Sequence, residues 1–411
     1  MQFADLVDFY GLPARDRGQE RPRLVQPSRA AAALGRARGR LRRGRRQRLA
    51  FLDATFPWQR SGFRYHEAAA IHDLLPDTLF FSMWEMTDPF PAPVHPLAEL
   101  PTIAPGAGIT DAYGVFQIFL EGLCGMEPTT DEEAGHPFRP FDMSAVFERS
   151  GIRLHGSVYP GGGFTPTPHG LARVRELAAR LDTTFSYVRE VLDTVPGVTE
   201  VDQAFTETRF YVVSSERWER PRPLTCLFAA DAPPRKGLDV ALEAFRDLEP
   251  EAFHLHVVGP HEQRRDELPP GLATFHGWLS PAELRELHRE VHVFLSPVKA
   301  EAAGPPGSYQ GVTDGFPTQA AADAMSSGCL LVSANPAADH RVLEPEVHYL
   351  ERVARPAAVR ATLERLAADP AWARRVASAG SERLRSRMDV RHGAAQKLAA
   401  MGFSSDIAAV R

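Results

Sequence analysis

Residues 310–335 (QGVTDGFPTQAAADAMSSGCLLVSAN) constrain the chain most, because they spell loop, helix, glycine and buried strand in succession. Asp314-Gly315-Phe316-Pro317-Thr318 is turn chemistry: glycine frees the backbone and proline suits a helix's first turn. Thr318 is placed to cap a helix, and Gln319 to Ser326 is rich in good helix formers. Gly328 suits the helix end. Cys329 to Val332 is a short apolar run, as in a strand covered on both faces of a parallel sheet. A loop that enters a helix start presents unpaired N–H groups, which suit a phosphate. Asp314 and Asp323 flank that start, and carboxylates of this kind grip sugar hydroxyls.

At 411 residues the chain has room for two domains of ordinary size. Leu49–Asp53, a loop with Gly62, and Phe63–Leu75 at helical spacing read as strand, loop and helix, the opening of a Rossmann-like half. Leu79–Ser82 reads as the next strand, residues 110–126 as one apolar helix capped by Thr110 or Asp111, and Gly151–His155 as a strand ending on a histidine. Short strands are expected over Thr199–Val213. Ser214–Pro223, charged and with two prolines, reads as a linker. Beyond it come a strand from Leu224, a helix over Leu238–Leu248, a strand at Phe253–Val258 and a helix over Pro281–Glu290. Ser280 and Glu283 form a capping box for that last helix. His292–Leu295 is a further strand, and the chain is helical from Ala357. Strand and helix alternate in both halves, which argues for parallel sheets. The expected domains are an arm at 1–47, an N-terminal domain at 48–213, the linker at 214–223, a C-terminal domain at 224–390, and a helix at 391–411 crossing back to the first domain.

A net charge of −5 gives no overall pull toward nucleic acid. The stretch Arg36–Arg48 is the exception, with eight arginines and no aromatic residue among them. It reads as a solvated arm or as a peripheral contact with an anionic membrane surface. Three scattered cysteines, Cys124, Cys226 and Cys329, suit a reducing cytoplasm. No metal-ligand spacing and no P-loop appear, so neither metal nor cofactor is expected.

The pattern Asp314-Gly-Phe-Pro … Asp323-Ala-Met-Ser-Ser-Gly328 followed by an apolar strand resembles the donor-site signature of retaining GT-B glycosyltransferases of family 4. Both usual glutamates are aspartates here. They stand nine positions apart, one more than is usual in that family. The alanine–methionine register fixes Asp323. The sugar-side carboxylate is Asp314, or alternatively Glu301 in Pro297-Val-Lys-Ala-Glu301-Ala-Ala-Gly304. The resemblance implies an α/β GT-B fold, two Rossmann-like domains with parallel sheets facing across a cleft. It implies transfer of a sugar from a nucleoside diphosphate sugar to an unidentified acceptor, with retention. Lys236-Gly237 stands where the family carries Arg and Lys on the diphosphate. Asp231 occupies the Arg position, and Arg235 is the nearest substitute. Gly259 and Gly277 match the strand-end glycines beside the nucleobase. Gly315, Phe316, Pro317 and Thr318 form the donor loop. Asp323 is expected on the ribose, and His155 on the donor sugar or as a structural histidine. Gly62, Gly162 and Gly163 fall on the acceptor side, and His66 and Glu67 are within reach of it. The two shortened carboxylates and Asp231 leave a second reading, a degenerate GT-B protein that binds a nucleotide sugar without turnover.

Overall fold

The structure is a computed structural model and describes residues 47–59, 62–84, 86, 88–160, 164–219, 222–230, 234–300 and 315–403. Asp231, Glu301, Asp314, Gly162 and Gly163 lie outside the described residues, as does the basic stretch up to Arg46. Two compact units emerge, one holding the described residues to Gln203 and those from Arg391, the other Ala204 to Val390.

The first unit runs β1 (Leu49–Asp53), α1 (Phe63–Leu74), β2 (Leu79–Ser82), β3 (Val94–Pro96), α2 (Leu100–Ala107), β4 (Asp111–Val115) and α3 (Gln117–Leu123). It continues with α4 (Asp131–Gly135), α5 (Ser144–Ser150), β5 (Arg153–Ser157), α6 (Pro168–Ala178), β6 (Thr183–Ser186), α7 (Arg189–Thr194) and β7 (Val198–Glu200). The strands form one sheet in the order β3-β2-β1-β4-β5-β6-β7, and every pairing is parallel. All five residues of β1 are buried, because both faces of its sheet are covered.

Residues 110–126 do not form the single helix their apolar run suggests. Asp111–Val115 is a strand between β1 and β5, and the chain turns at Phe116, with φ of 80°, into α3. A run buried on all sides carries no periodicity that separates strand from helix, so Tyr113 and Val115 beside a glycine decide for the strand. Gly114 leaves room for the Leu120 side chain, which would lie 3.0 Å from an added Cβ.

The second unit contains β8 (Leu224–Ala229), α8 (Leu238–Phe245), β9 (Phe253–Val258), β10 (Ala273–Phe275), α9 (Pro281–Glu290) and β11 (Val293–Ser296). Then follow α10 (Gln319–Ser326), β12 (Leu330–Ser333), β13 (Leu350–Glu351), α11 (Pro356–Ala368) and α12 (Pro370–Arg387). Its parallel sheet has the order β10-β9-β8-β11-β12-β13. Both sheets therefore start in the middle, grow to one edge, return to the middle and grow to the other. This is the doubly wound Rossmann-like plan. One apolar cluster lies on each face of the second sheet: Phe245, Leu255 and Leu363 belong to one, Leu227, Met325 and Leu331 to the other.

Most of the described residues of 214–223 are exposed, but two are buried. Glu216–Glu219 makes a 3₁₀ turn in which Arg217 and Trp218 are buried. The Arg217 guanidinium donates to the carbonyls of Val291 at 2.6 Å and Ser327 at 2.7 Å, and Trp218 lies edge-on to His292. Charged composition suggests solvent, but here the arginine satisfies carbonyls at the ends of α9 and α10. The short strands expected over 199–213 reduce to β7 and a single parallel bridge between Thr206 and Asp389.

The last helix, α13 (Val390–Ala400), packs within the first unit from Arg391 onward. Arg391 pairs with Asp73 at 2.8 Å, and Gln396 donates to Asp202 at 2.9 Å. Arg48, the last arginine of the basic stretch, is pinned to the carbonyls of Asp77 and Ala107 at 3.0 and 2.9 Å. Among the described residues no helix is long and apolar enough to cross a membrane.

Candidate functional site

In a doubly wound sheet, ligands sit beyond the carboxyl ends of the strands, where the winding reverses. In the second unit that point lies between β8 and β11. The loop after β8 carries Arg235, Lys236 and Gly237; the loop after β11 carries Pro297 to Ala300. The Lys299 N–H donates to the Arg235 carbonyl at 2.8 Å, so the two loops are stitched together there. Gly237 has φ of 78°, and a Cβ on it would stand 2.0 Å from the Pro297 carbonyl oxygen. Only glycine permits this contact, so Gly237 fixes where α8 begins and where Lys236 stands. Arg235 and Lys236 are both half-buried.

The connection from β11 leads into α10. Thr318 is its N-cap, and its hydroxyl accepts from the Ala321 N–H. The N–H groups of Gln319 and Ala320 have no intrahelical acceptor, as at any helix start. Phe316 and Pro317 are buried just before them, and the Phe316 ring lies 4.8 Å from that of Tyr349. The Tyr349 hydroxyl is held by Glu351, which also accepts from His340 at 2.7 Å. Gly315, Phe316, Pro317 and Thr318 thus form a seated turn at a helix start, on the same edge of the sheet as Lys236.

Asp323 lies one turn into α10 and is 8 % exposed. Its Oδ1 accepts from Gln319 Nε2 at 2.7 Å. Burial raises its pKa to about 7, against the lowering effects of Gln319 and the nearby Tyr211. Because the folded value exceeds the unfolded one, the empty protein is favoured below about pH 4 and loses stability as pH rises toward 7. For a move from 3.8 to about 7 the loss is at most about 4 kcal/mol. A bound group that donates to the ionised carboxylate would offset this cost.

Gly259 and Gly277 end β9 and follow β10, and the Gly259 N–H donates to the Gly277 carbonyl at 2.9 Å. A Cβ on Gly259 would meet the Ala230 carbonyl at 2.1 Å; one on Gly277 would meet Glu262 Oε1 at 2.4 Å. At Gly259 the close approach that demands glycine is made by the protein's own backbone.

In the first unit His155 stands away from the strand's carboxyl end. It lies inside β5 and is 1 % exposed. Its Nε2 is 3.0 Å from Asp111 Oδ1, at the amino end of β4 and therefore away from the ligand edge. Asp111 also takes Arg153 at 2.7 Å. Gly62 is the N-cap of α1 with φ of 59°, and its N–H donates to the Gln59 carbonyl at 3.0 Å.

Glu67 does not reach outward from α1. It is 1 % exposed and accepts from the Tyr113 hydroxyl at 2.8 Å and from Lys397 of α13. The Tyr113 hydroxyl is also 2.6 Å from Ser157 Oγ, and Lys397 lies over the Tyr159 ring. Burial lowers the Lys397 pKa, but the Glu67 carboxylate outweighs it and leaves the value raised. Asp53, at the end of β1, holds Arg64 at 2.7 Å and the Thr55 N–H at 2.8 Å. Neither cluster announces itself in the sequence, since their members are tens to hundreds of positions apart. Gln319 and Asp323, four apart on one helix, carry a spacing that signals such a contact.

Residues 223–369 match the family described as "Glycosyl transferases group 1". A search of curated proteins finds no sequence relative of the chain. Among solved structures, HepE of Anabaena in complex with UDP-glucose is similar with a TM-score of 0.63 at 13% identity, over 88% of this chain and 100% of that one. Sucrose-phosphate synthase of Thermosynechococcus elongatus has a TM-score of 0.61 at 14% identity, again over 88% of this chain and 100% of that one. A glycosyltransferase of Rickettsia africae has a TM-score of 0.58 at 8% identity, over 86% and 97%. At these identities the structural likeness shows the fold, two parallel-sheet Rossmann-like domains of the GT-B type, while the sequence match covers the second domain. Residues 223–369 thus resemble the group 1 glycosyl transferases, and the fold of the chain is GT-B.

Proposed function

We propose that the chain moves a hexose from a nucleoside diphosphate donor, of the UDP-sugar kind, to an acceptor with retention at the anomeric carbon. The observation that carries this reading is that Lys236 and the α10 start stand on one edge of the second sheet, the edge of the β8–β11 reversal. Backbone N–H groups and a cation placed there suit a departing diphosphate. HepE, a fold neighbour, is described with UDP and glucose and with UDP-glucose, which supports the choice of donor class.

In this reading the bond from the anomeric carbon to the diphosphate oxygen breaks first in the transition state. Lys236, with Arg235, and the N–H groups of Gln319 and Ala320 take the charge of the leaving group. The acceptor hydroxyl adds on the same face, and its proton passes to the departing phosphate, so no protein base is required. Asp323 holds the ribose. Asp314 holds the sugar hydroxyls in the preferred register, with Glu301 as the alternative. His155, tied to Asp111, takes no part.

The first test is a thermal-shift screen of UDP-, GDP- and ADP-sugars, since a ligand that binds only the folded state raises the melting temperature. The expected outcome is a rise with UDP-sugars; no rise with any of the three sinks the reading. Given a donor, Asp314→Asn and Glu301→Gln settle the carboxylate, as both keep shape and remove charge. Asp314→Asn is expected to abolish turnover and Glu301→Gln to spare it. The opposite result places the carboxylate at Glu301. A donor that binds but is never consumed would favour the degenerate binder, in line with Asp231 at the position of the usual arginine.

A further inference from the structure

We infer that Tyr349 and Glu351 are positioning residues for the departing diphosphate: together they seat the Phe316-Pro317 turn, and the turn aims the Gln319 and Ala320 N–H groups of α10. The inference rests on the reading of α10 as the donor helix and adds to it a support built from β13 and the loop after β12.

A helix start presents its free N–H groups where the preceding turn is seated. Thr318 caps α10, so that turn is Phe316 and Pro317. Phe316 lies in an apolar cluster with Met325, Leu343 and Tyr349. The Tyr349 ring is its aromatic neighbour, with centroids 4.8 Å apart and planes tilted by 50°. Tyr349 is fully buried, so its hydroxyl needs a partner. Glu351 supplies one, its carboxylate accepting from the hydroxyl. The phenol is thus fixed at both ends, its ring by Phe316 and its hydroxyl by a carboxylate. It cannot tilt away from Phe316 without breaking a charge-assisted bond. Packing alone does not ask for this, since a phenylalanine at 349 would fill the cluster with no polar atom to satisfy.

Glu351 is held in its turn. It ends β13, and its Oε2 accepts from His340 Nε2 at 2.7 Å and stands 3.4 Å from Asn335 Nδ2. Asn335 and His340 lie in the loop that leaves the carboxyl end of β12, on the edge where α10 begins. Asn335 closes that loop, donating to the Asp339 carbonyl at 3.0 Å and accepting from the Asp339 N–H at 3.2 Å. The Arg352 N–H donates to the Ser333 carbonyl at 2.7 Å, which ties the end of β13 to the end of β12. Burial acts to raise the Glu351 pKa, but the bonds from Tyr349, His340 and Asn335 outweigh it and leave the value lowered. Burial and then Glu351 raise the pKa of Tyr349. Near neutral pH the carboxylate therefore stays the acceptor and the phenol the donor.

The experiment compares UDP, titrated by calorimetry, with uridine, titrated by NMR, because only UDP carries phosphates for the α10 start. Tyr349→Phe and Glu351→Ala are each expected to weaken UDP binding about tenfold, as a displaced binding group does. Both should leave uridine affinity within about twofold, since the nucleoside does not use those N–H groups. Glu351→Gln keeps an oxygen that accepts from the Tyr349 hydroxyl and should hold UDP affinity within about threefold of wild type. A general loosening of the fold would weaken uridine and UDP alike and would not be rescued by glutamine. Unchanged UDP affinity in Glu351→Ala overturns the positioning role, as does an equal loss for UDP and uridine. A Glu351→Gln protein as weak as Glu351→Ala overturns the link through the hydroxyl. Should Tyr349→Phe fail to fold, Glu351→Ala is read alone, since that side chain is 32 % exposed. If the wild type binds no UDP, the donor reading of α10 fails and this inference with it. If the wild type and Glu351→Ala bind UDP equally well, the donor reading stands and only the positioning role falls.

Discussion

Lys236→Ala is expected to lower turnover of a UDP-sugar about a hundredfold or more. A fixed cation or donor at the charge of a leaving group is worth ~3–4 kcal/mol in the transition state. Acceptor KM should change much less, because the lysine is placed on the donor diphosphate. The neighbouring Lys299 provides the control. Its Nζ lies 2.5 Å from Asp239, and both side chains are substantially exposed. A pair of that kind is worth about 0–1 kcal/mol, so Lys299→Ala should leave kcat within about threefold. Arg235→Ala should resemble Lys236→Ala if Arg235 stands in for the family's usual arginine. Steady-state kinetics on the three variants would check this. A Lys236→Ala enzyme with wild-type kcat would mean that the diphosphate is held elsewhere and that the loop after β8 serves only to seat α8.

The largest effect on stability is expected at Lys397→Met. Lys397 and Glu67 are each 1 % exposed, and the lysine is the cation paired with that carboxylate. Removing one partner of a buried pair leaves an uncompensated charge and costs about 3–5 kcal/mol. Replacing both partners by neutral groups of similar size costs far less. Lys397→Met should therefore lower the urea midpoint sharply, and Glu67→Gln added to it should recover most of the loss. The pair's contribution is present at neutral pH and is lost only as pH rises beyond the raised lysine pKa. A double variant no more stable than Lys397→Met would show that packing of the lysine stem, and not its charge, holds α13.

The parts of this fold legible in the sequence are those encoded by neighbours. Ser280 and Glu283 make both bonds of a capping box, and Thr318 caps α10 beside the Phe316-Pro317 turn. Local hydrogen bonds between residues three apart leave a pattern that the sequence exposes. The split of residues 110–126 is not legible, because β4 and α3 are both buried throughout and burial erases the periodicity on which the distinction rests. Arg217 misleads for the opposite reason. Its charge suggests solvent, while its guanidinium is buried on the Val291 and Ser327 carbonyls. His155 is misplaced by sequence because strand ends read that way are uncertain by a few residues, and two residues separate the ligand edge from the middle of β5. In the candidate site, Lys236 and Asp323 are found through family spacing.

The most direct test of donor use and stereochemistry is proton NMR of a UDP-α-hexose turned over by the enzyme, with the anomeric signal of the first product followed in time. The expected result is consumption of the donor with an α-configured product appearing first, and loss of that signal in Lys236→Ala. A β-configured first product, or UDP-, GDP- and ADP-hexoses that all persist unconsumed, would contradict retaining transfer at the Lys236 and α10 site.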